Sequence, residues 1–242
     1  METKTLTDQA YQRLREDVVH GKFHPGDKLR IEFLKQTYEV GATPLREALY
    51  RLSADGFVNV QGQRGFRVAE MSLEELEDIT NLRVVLEGMA LTQSVQNSND
   101  EWESRVVAAF HHLTKAENQQ EPDIREWEIR NRDFHLALVS CCDSAWLMRF
   151  YETLYDQHKR YRNIARVDRS SRRNVHAEHV AIFEAALAKD IPALCKANEQ
   201  HIRRTAVITG QVLAENIEAE SQATGTPLDG VPTPGNKKIG RG

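Results

Sequence analysis

Three histidines and one arginine stand where amphipathic helices should carry apolar side chains. In NRDFHLALV, residues 131–139, a 3.6-residue period puts Asn131, His135, Leu138 and Cys142 on one face and Arg130, Asp133 and Ala137 largely on the other. Val175, His179, Ile182 and Ala186 repeat the pattern on a second segment, and Ala197, His201, Arg204 and Ile208 on a third. A lone histidine in such a place is usually a packed or surface residue. One from each of three helices makes a shared site the better reading. Imidazoles suit zinc, nickel or iron, and three of them leave coordination positions for water or a carboxylate. Such a metal could activate water, which is the enzyme reading, or hold an acid. A metal-free cluster that binds a carboxylate directly is the third possibility.

Arg83 supports the acid-binding readings. It falls in the middle of the apolar face formed by Leu76, Ile79, Leu86 and Ala90. A buried guanidinium must find a partner. Glu87, one turn on, is the simple one; a ligand carboxylate is the other, because the guanidinium fork matches it. Tyr151, Tyr155, His158 and Arg162 follow at three-to-four spacing on another helix and could line the same space or merely pack. Hydrolysis is disfavoured. No general base shares the histidine face, since Asn131 stands one turn before His135, and no phosphate loop or nucleophile motif appears.

The elements that position these residues fall into two textures. Leu6, Ala10, Leu14 and Val18 mark a helix over 5–20, closed by Gly21; short helices follow at 31–38 and 43–54, the last with Thr43 as its cap and Pro44 in its first turn. FVNVQGQRGFRVAE then alternates and turns as a two-stranded hairpin. Three helices and a hairpin in residues 1–70 predict a winged helix-turn-helix, an α+β unit. Residues 71–217 predict an all-α antiparallel bundle of six helices near 72–96, 99–119, 122–141, 143–164, 171–188 and 190–215, with Ser72, Asp100 and Asp143 as N-terminal signals and Pro122 and Pro192 in first turns. The Gly/Pro-rich end, 218–242, predicts a disordered tail.

Composition bounds the function. With 242 residues, 40% of them hydrophobic, the chain can bury a core in each unit. No apolar run is long enough to span a membrane and the first residues lack a signal-peptide core, so a cytoplasmic protein without a membrane partner is expected. Cys141, Cys142 and Cys195 lack zinc-module spacing and read as reduced thiols. A net charge of -4 confines any nucleic-acid surface to a local patch. Between Lys22 and Arg67 there are eight Lys/Arg against five Asp/Glu. In a helix-turn-helix the second helix enters the major groove by its N-terminal end, here GATPLREALYR. Thr43 and Arg46 are the expected contacts at the groove, with Arg51 further along. Arg64 and Arg67 suit a wing lying on the backbone of double-stranded operator DNA.

PGDKLRIEFLKQTYEVGATPLREALYRLSADGFVNVQGQRGFRV resembles the winged-helix signature of the GntR superfamily. NLRVVLE, NRDFHLAL, HAEHVAIFEAALAKD and EQHIRRT resemble the FCD ligand-binding domain of its FadR subfamily, so the likeness spans most of the chain. It implies a dimeric transcription factor, in most cases a repressor, released from its operator by a small carboxylic acid. The family motif implies a divalent-metal set of Asn131, His135, His179 and His201, where relatives of this kind place a carboxylate or amide at the first position. It also implies that the helix bearing Arg83 lines the effector cavity; Tyr155, from the residues spaced along the fourth bundle helix, is the one expected to join it there. Many such regulators carry Arg before the Thr-Pro pair where this chain has Ala42, and Arg30 is the candidate to supply that contact. TLTDQAYQRLRED, GATPLREALYRLSADG, GQRGFRVAEMS and DEWE resemble glutarate-responsive repressors in particular, which implies glutarate or a similar dicarboxylate as the effector.

Overall fold

A computed structural model describes residues 5–62, 65–119, 123–164 and 174–224. In the N-terminal unit, α1 (Leu6–Val19), β1 (Lys28–Leu29), α2 (Ile31–Tyr38), α3 (Ala42–Ala54), β2 (Val58–Val60) and β3 (Phe66–Val68) form a winged helix-turn-helix. Thr5 caps α1, its side chain accepting from Asp8 N–H while Asp8 answers to the Thr5 backbone. Ala10, Leu14 and Val18 of α1 then bury against Leu45, Leu49 and Leu52 of α3, whereas Leu6, expected on that face, is exposed. Two local readings change. The cap of α3 is Gly41, which makes no side-chain cap bond, so Thr43 is left exposed in the first turn. The wing has a third strand: β1 pairs antiparallel with β3, giving the order β1-β3-β2 with Lys28 opposite Arg67. A two-residue strand is too short to show a period of two.

The second unit is all-helical: α4 (Leu73–Gln96), α5 (Asp100–Glu117), α6 (Ile124–Leu138), α7 (Ala145–Ile164), α8 (Val175–Leu187) and α9 (Ile191–Thr224). Helix α4 packs on α7 and α9, α5 on α6, and α8 on α9. Its core gathers Leu91, Trp102, Val106, Phe134, Leu138 and Ile182, and the Trp102 indole N–H donates to the Leu138 carbonyl at 3.2 Å. Ser72 caps α4 as expected, but α5 is capped by Asn99 instead of Asp100. Asp123 caps α6, and Ser144, not Asp143, accepts from the first turn of α7. Pro122 lies outside the described residues. Because α6 ends at Leu138, Cys141 and Cys142 sit in the following turn; all three cysteines are free and half-buried.

Helix α9 continues to Thr224, past the expected end at 215 and into the segment read as tail. Leu213 is the last buried side chain among those described, which end at 219, and the exposed positions after it include helix-favouring Glu215, Glu218 and Ala219. The rest of that segment, 225–242, lies outside the described residues.

Helix α7 joins the two units. From Tyr155 to Tyr161 every residue is buried, although five of the seven are Asp156, Gln157, His158, Lys159 and Arg160. On one side the Asp156 carboxylate pairs with Arg15 of α1 at 3.1 Å, Gln157 donates to the Asp55 carbonyl at 2.9 Å and Asn163 to the Val19 carbonyl at 2.9 Å. Arg160 donates to the Ala69 carbonyl in the connection between the units.

Candidate effector site and DNA-binding face

The bundle brings the three predicted histidines into one cluster. His135 from α6, His179 from α8 and His201 from α9 have ring centroids 5.6, 5.3 and 4.8 Å apart, and one ring nitrogen of each lies within 4.8 Å of the others. His135 and His179 are buried and His201 nearly so. Burial, with the charges of the neighbouring His201, His179, Arg83 and Arg162, pushes the His135 imidazole well below its usual pKa. It is therefore held neutral, the form a metal ligand requires.

Hydrogen bonds orient the other two rings. The Nδ1–H of His179 donates to Glu117 of α5 at 2.7 Å, and that of His201 to Glu178 of α8 at 2.9 Å. Burial works against the Glu117 carboxylate, but the bonds and charges of His179 and His176 outweigh it and hold its pKa below the ordinary carboxylate value. His176 reaches the second oxygen of Glu117 at 2.7 Å, and Arg204 stands 3.3 Å from Glu178.

Asn131 is buried one turn before His135, and its amide N–H donates to the Tyr155 hydroxyl at 3.0 Å. That fixes which end of the amide is engaged: Oδ1 is buried and meets no donor, as does Nε2 of His179. Buried polar atoms are rarely left so unless another group binds there. An amide oxygen and imidazole nitrogens are donors suited to a borderline divalent cation. The residues present thus fit a metal.

Arg83 behaves as the simpler reading expected. Its guanidinium pairs with Glu87 through Nε at 2.7 Å and Nη2 at 2.5 Å, and Asn198 of α9 donates to the other Glu87 oxygen at 3.1 Å. It also lies 5.1 Å from the Tyr155 ring centroid, so Tyr155 links Arg83 to Asn131. A cleft of about 420 Å³ opens between α8 and α9, lined by Glu178, Ala181, Ala197, His201 and Arg204 among others. Of the predicted effector residues only His201 lines it; Arg83, Asn131, His135, His179 and Tyr155 lie deeper.

On the N-terminal unit, α2 and α3 are joined by a three-residue turn that Glu39 enters in the left-handed conformation at φ 57°. Thr43 and Arg46 are exposed on the first turns of α3, and Arg30 is exposed at the start of α2. Arg51 is exposed as well, and it pairs with Asp8 at 2.7 Å and lies over the Tyr11 ring at 4.2 Å, bracing α3 on α1. Arg67 is half-buried, donating to Gln61 at 3.0 Å and to the Gly26 carbonyl at 2.7 Å at the base of the wing. Arg64 lies outside the described residues. Tyr50, unremarked in the sequence, is exposed on the face of α3 that carries Thr43 and Arg46, edge-on to Phe66 of β3.

Residues 6–68 match the family model for bacterial regulatory proteins of the gntR family, and residues 78–204 that for the FCD domain. The chain belongs to the GntR family of DNA-binding transcriptional regulators. It is 42% identical over 212 residues to the HTH-type transcriptional regulator BphR of Paraburkholderia xenovorans (strain LB400), covering 86% of each chain. It is 36% identical over 219 residues to the HTH-type transcriptional repressor GlaR of Escherichia coli (strain K12), covering 88% of this chain and all of that one. The solved structure of Escherichia coli McbR/YncC superposes with a TM-score of 0.76 at 23% identity, over 86% of this chain and 99% of the other, which bears out the fold. Membership in a family of transcription regulators removes the enzyme reading of the histidine cluster. No helix among the described residues is long and apolar enough to cross a membrane.

Sequence reasoning in this GntR-family chain offered Glu87 as one of two partners for Arg83 but did not find Glu117, Glu178 or Asn198 beside the interior polar groups. Glu178 in fact serves His201, on the neighbouring helix. A period read along one helix carries no information about which residue of another helix arrives opposite it.

Proposed function

We propose that this regulator is a homodimeric repressor, released from its operator when a small carboxylic acid binds the helical domain. Glutarate or a dicarboxylate of similar size is the first candidate. A divalent metal of the zinc, nickel or iron class, held by Asn131, His135, His179 and His201, forms part of the pocket. The observation that carries this reading is the cluster of three imidazoles beside two buried acceptors, Asn131 Oδ1 and His179 Nε2, that meet no donor. When bound, such a metal supplies a Lewis acid that attracts the effector's carboxylate. The chain's own residues do the rest. Tyr155 holds the Asn131 amide with its oxygen open, and Arg83, on the other side of Tyr155 and already paired with Glu87 through Nε and Nη2, offers its remaining N–H groups to a second carboxylate. The cleft between α8 and α9 offers a route from solvent to His201. Its volume falls within the range of about 300–1,000 Å³ usual for small-ligand pockets.

Communication runs through α7. Asp156 takes Arg132 of α6, the neighbour of Asn131, on one oxygen and Arg15 of α1 on the other. An effector that favours one placement of α6 and α7 thereby favours one placement of the winged helices, provided it binds the two arrangements unequally. At the DNA, Thr43 and Arg46 enter the major groove, Arg30 supplies the contact that Ala42 does not make, and Arg64 and Arg67 lie on backbone or minor groove. Arg51 acts through α3 by its bond to Asp8.

The test is an electrophoretic shift with the chain's own promoter region, combined with a thermal-shift screen of three- to six-carbon mono- and dicarboxylates. A specific shift reversed by a dicarboxylate that also raises the melting temperature is expected. Absence of any specific shift at low salt, with and without metal, overturns the repressor reading. Stabilisation by some other acid and by no dicarboxylate overturns glutarate.

A further inference from the structure

The proposed metal ligands share an electrostatic problem. An amide oxygen and three neutral imidazoles bring no negative charge, and a dication in a buried site without compensation is costly. Two carboxylates stand directly behind the ligands. Glu117 accepts from Nδ1 of His179 at 2.7 Å and Glu178 from Nδ1 of His201 at 2.9 Å, with the glutamate side chains only 6% and 10% exposed. The two glutamates come from different helices, α5 and α8, so neither contact is the by-product of a single helix's spacing. Each bond places the ring proton on Nδ1, so that Nε2 is the nitrogen carrying the lone pair, and the buried Nε2 of His179 meets no donor. Each glutamate is held in turn by an outer cation-capable group, Glu117 by His176 and Glu178 by Arg204.

We infer that Glu117 and Glu178 are positioning residues of the metal site, turning Nε2 of His179 and His201 toward the ion and supplying the negative charge that Asn131 does not. This rests on the metal reading above. The competing account is structural: Glu117 merely ties α5 to α8 through His176 and His179, and Glu178 ties α8 to α9.

Affinity for zinc and the melting temperature of the metal-free protein separate the two. The full chain is stripped with a chelator and titrated with zinc against a chromophoric indicator. Glu117→Gln keeps the size and an acceptor oxygen but removes the charge; it is expected to weaken zinc about 10- to 100-fold, the usual effect of losing a carboxylate behind a ligating histidine. Glu178→Gln is expected to act in the same direction, and serves as the reading should Glu117→Gln fail to fold. His176→Ala, which leaves Glu117 on His179, should change zinc affinity far less than either. Adding Asn131→Asp to Glu117→Gln should restore much of the lost affinity, because it returns a negative charge to the site. A role confined to packing lowers the metal-free melting temperature and gives no such rescue. Zinc binding by Glu117→Gln and Glu178→Gln equal to that of the unmodified chain overturns the inference alone. Failure of the unmodified chain to bind zinc, nickel or iron overturns the metal reading and this inference with it.

Discussion

At the scale of single residues, Asn131 and Glu87 make opposite kinds of claim. Asn131 has an acceptor to spare, since Tyr155 occupies only its amide N–H. Asn131→Asp should therefore tighten zinc on the order of tenfold, about 1.4 kcal/mol, in the same indicator titration. His135→Ala should remove the response to effector in the promoter-shift assay while leaving DNA binding in its absence near that of the unmodified chain. Glu87 has nothing to spare. It compensates Arg83 at a position where both side chains are almost wholly buried and also accepts from Asn198. Removing one partner of such a pair strands the other, so Glu87→Ala should cost about 3–5 kcal/mol in urea unfolding. The residue types at 83, 131, 135, 179 and 201 were legible as chemistry in the sequence, because polar groups on apolar faces demand a reason. Glu87, one turn from Arg83 on the same helix, was legible too; Glu117, Glu178 and Asn198 were not, because they lie on helices whose order of packing no local period encodes.

At the scale of elements, α3 and α7 carry the function. Helix α3 exposes Thr43, Arg46 and Tyr50 on one face and buries Leu45, Leu49 and Leu52 on another; of the exposed three, the sequence had pointed to Thr43 and Arg46. Arg46→Ala should cost about 1–3 kcal/mol in operator binding with a change in base preference at one position, read by competition with variant operators. Arg51→Ala should instead act through folding, lowering the melting temperature by loosening α3 from Asp8 of α1. Helix α7 was legible as a helix, but the extent of its burial was not. A run reading Asp-Gln-His-Lys-Arg looks solvated, yet it lies between the units and is buried throughout. Asp156→Asn should keep zinc affinity and weaken the effector's ability to release DNA, because it removes the carboxylate shared by Arg132 and Arg15. Unchanged release in the promoter-shift assay would argue that the signal takes another path.

At the scale of the whole molecule, charge and the proposed metal set the expected behaviour. The net charge of -4 belongs to the full chain, while the DNA-reading unit is locally basic, so operator affinity should fall steeply with salt and by a slope that decreases by about one for each phosphate-binding Lys or Arg removed. A bound metal stabilises the folded chain by about 2.7 kcal/mol when its concentration is a hundred times its dissociation constant. Chelation should accordingly lower the melting temperature of the bundle, and zinc should restore it. By itself the sequence determined the two units, nearly every helix, and the three histidines, because turn residues, caps and the 3.6-residue period are local properties of the chain. Only the tertiary structure decided that the histidines meet, that Glu117 and Glu178 stand behind them, that Glu87 rather than an open cavity receives Arg83, and that α7 is interior. Those outcomes depend on which helix faces which, and that is settled by packing between segments far apart in the chain.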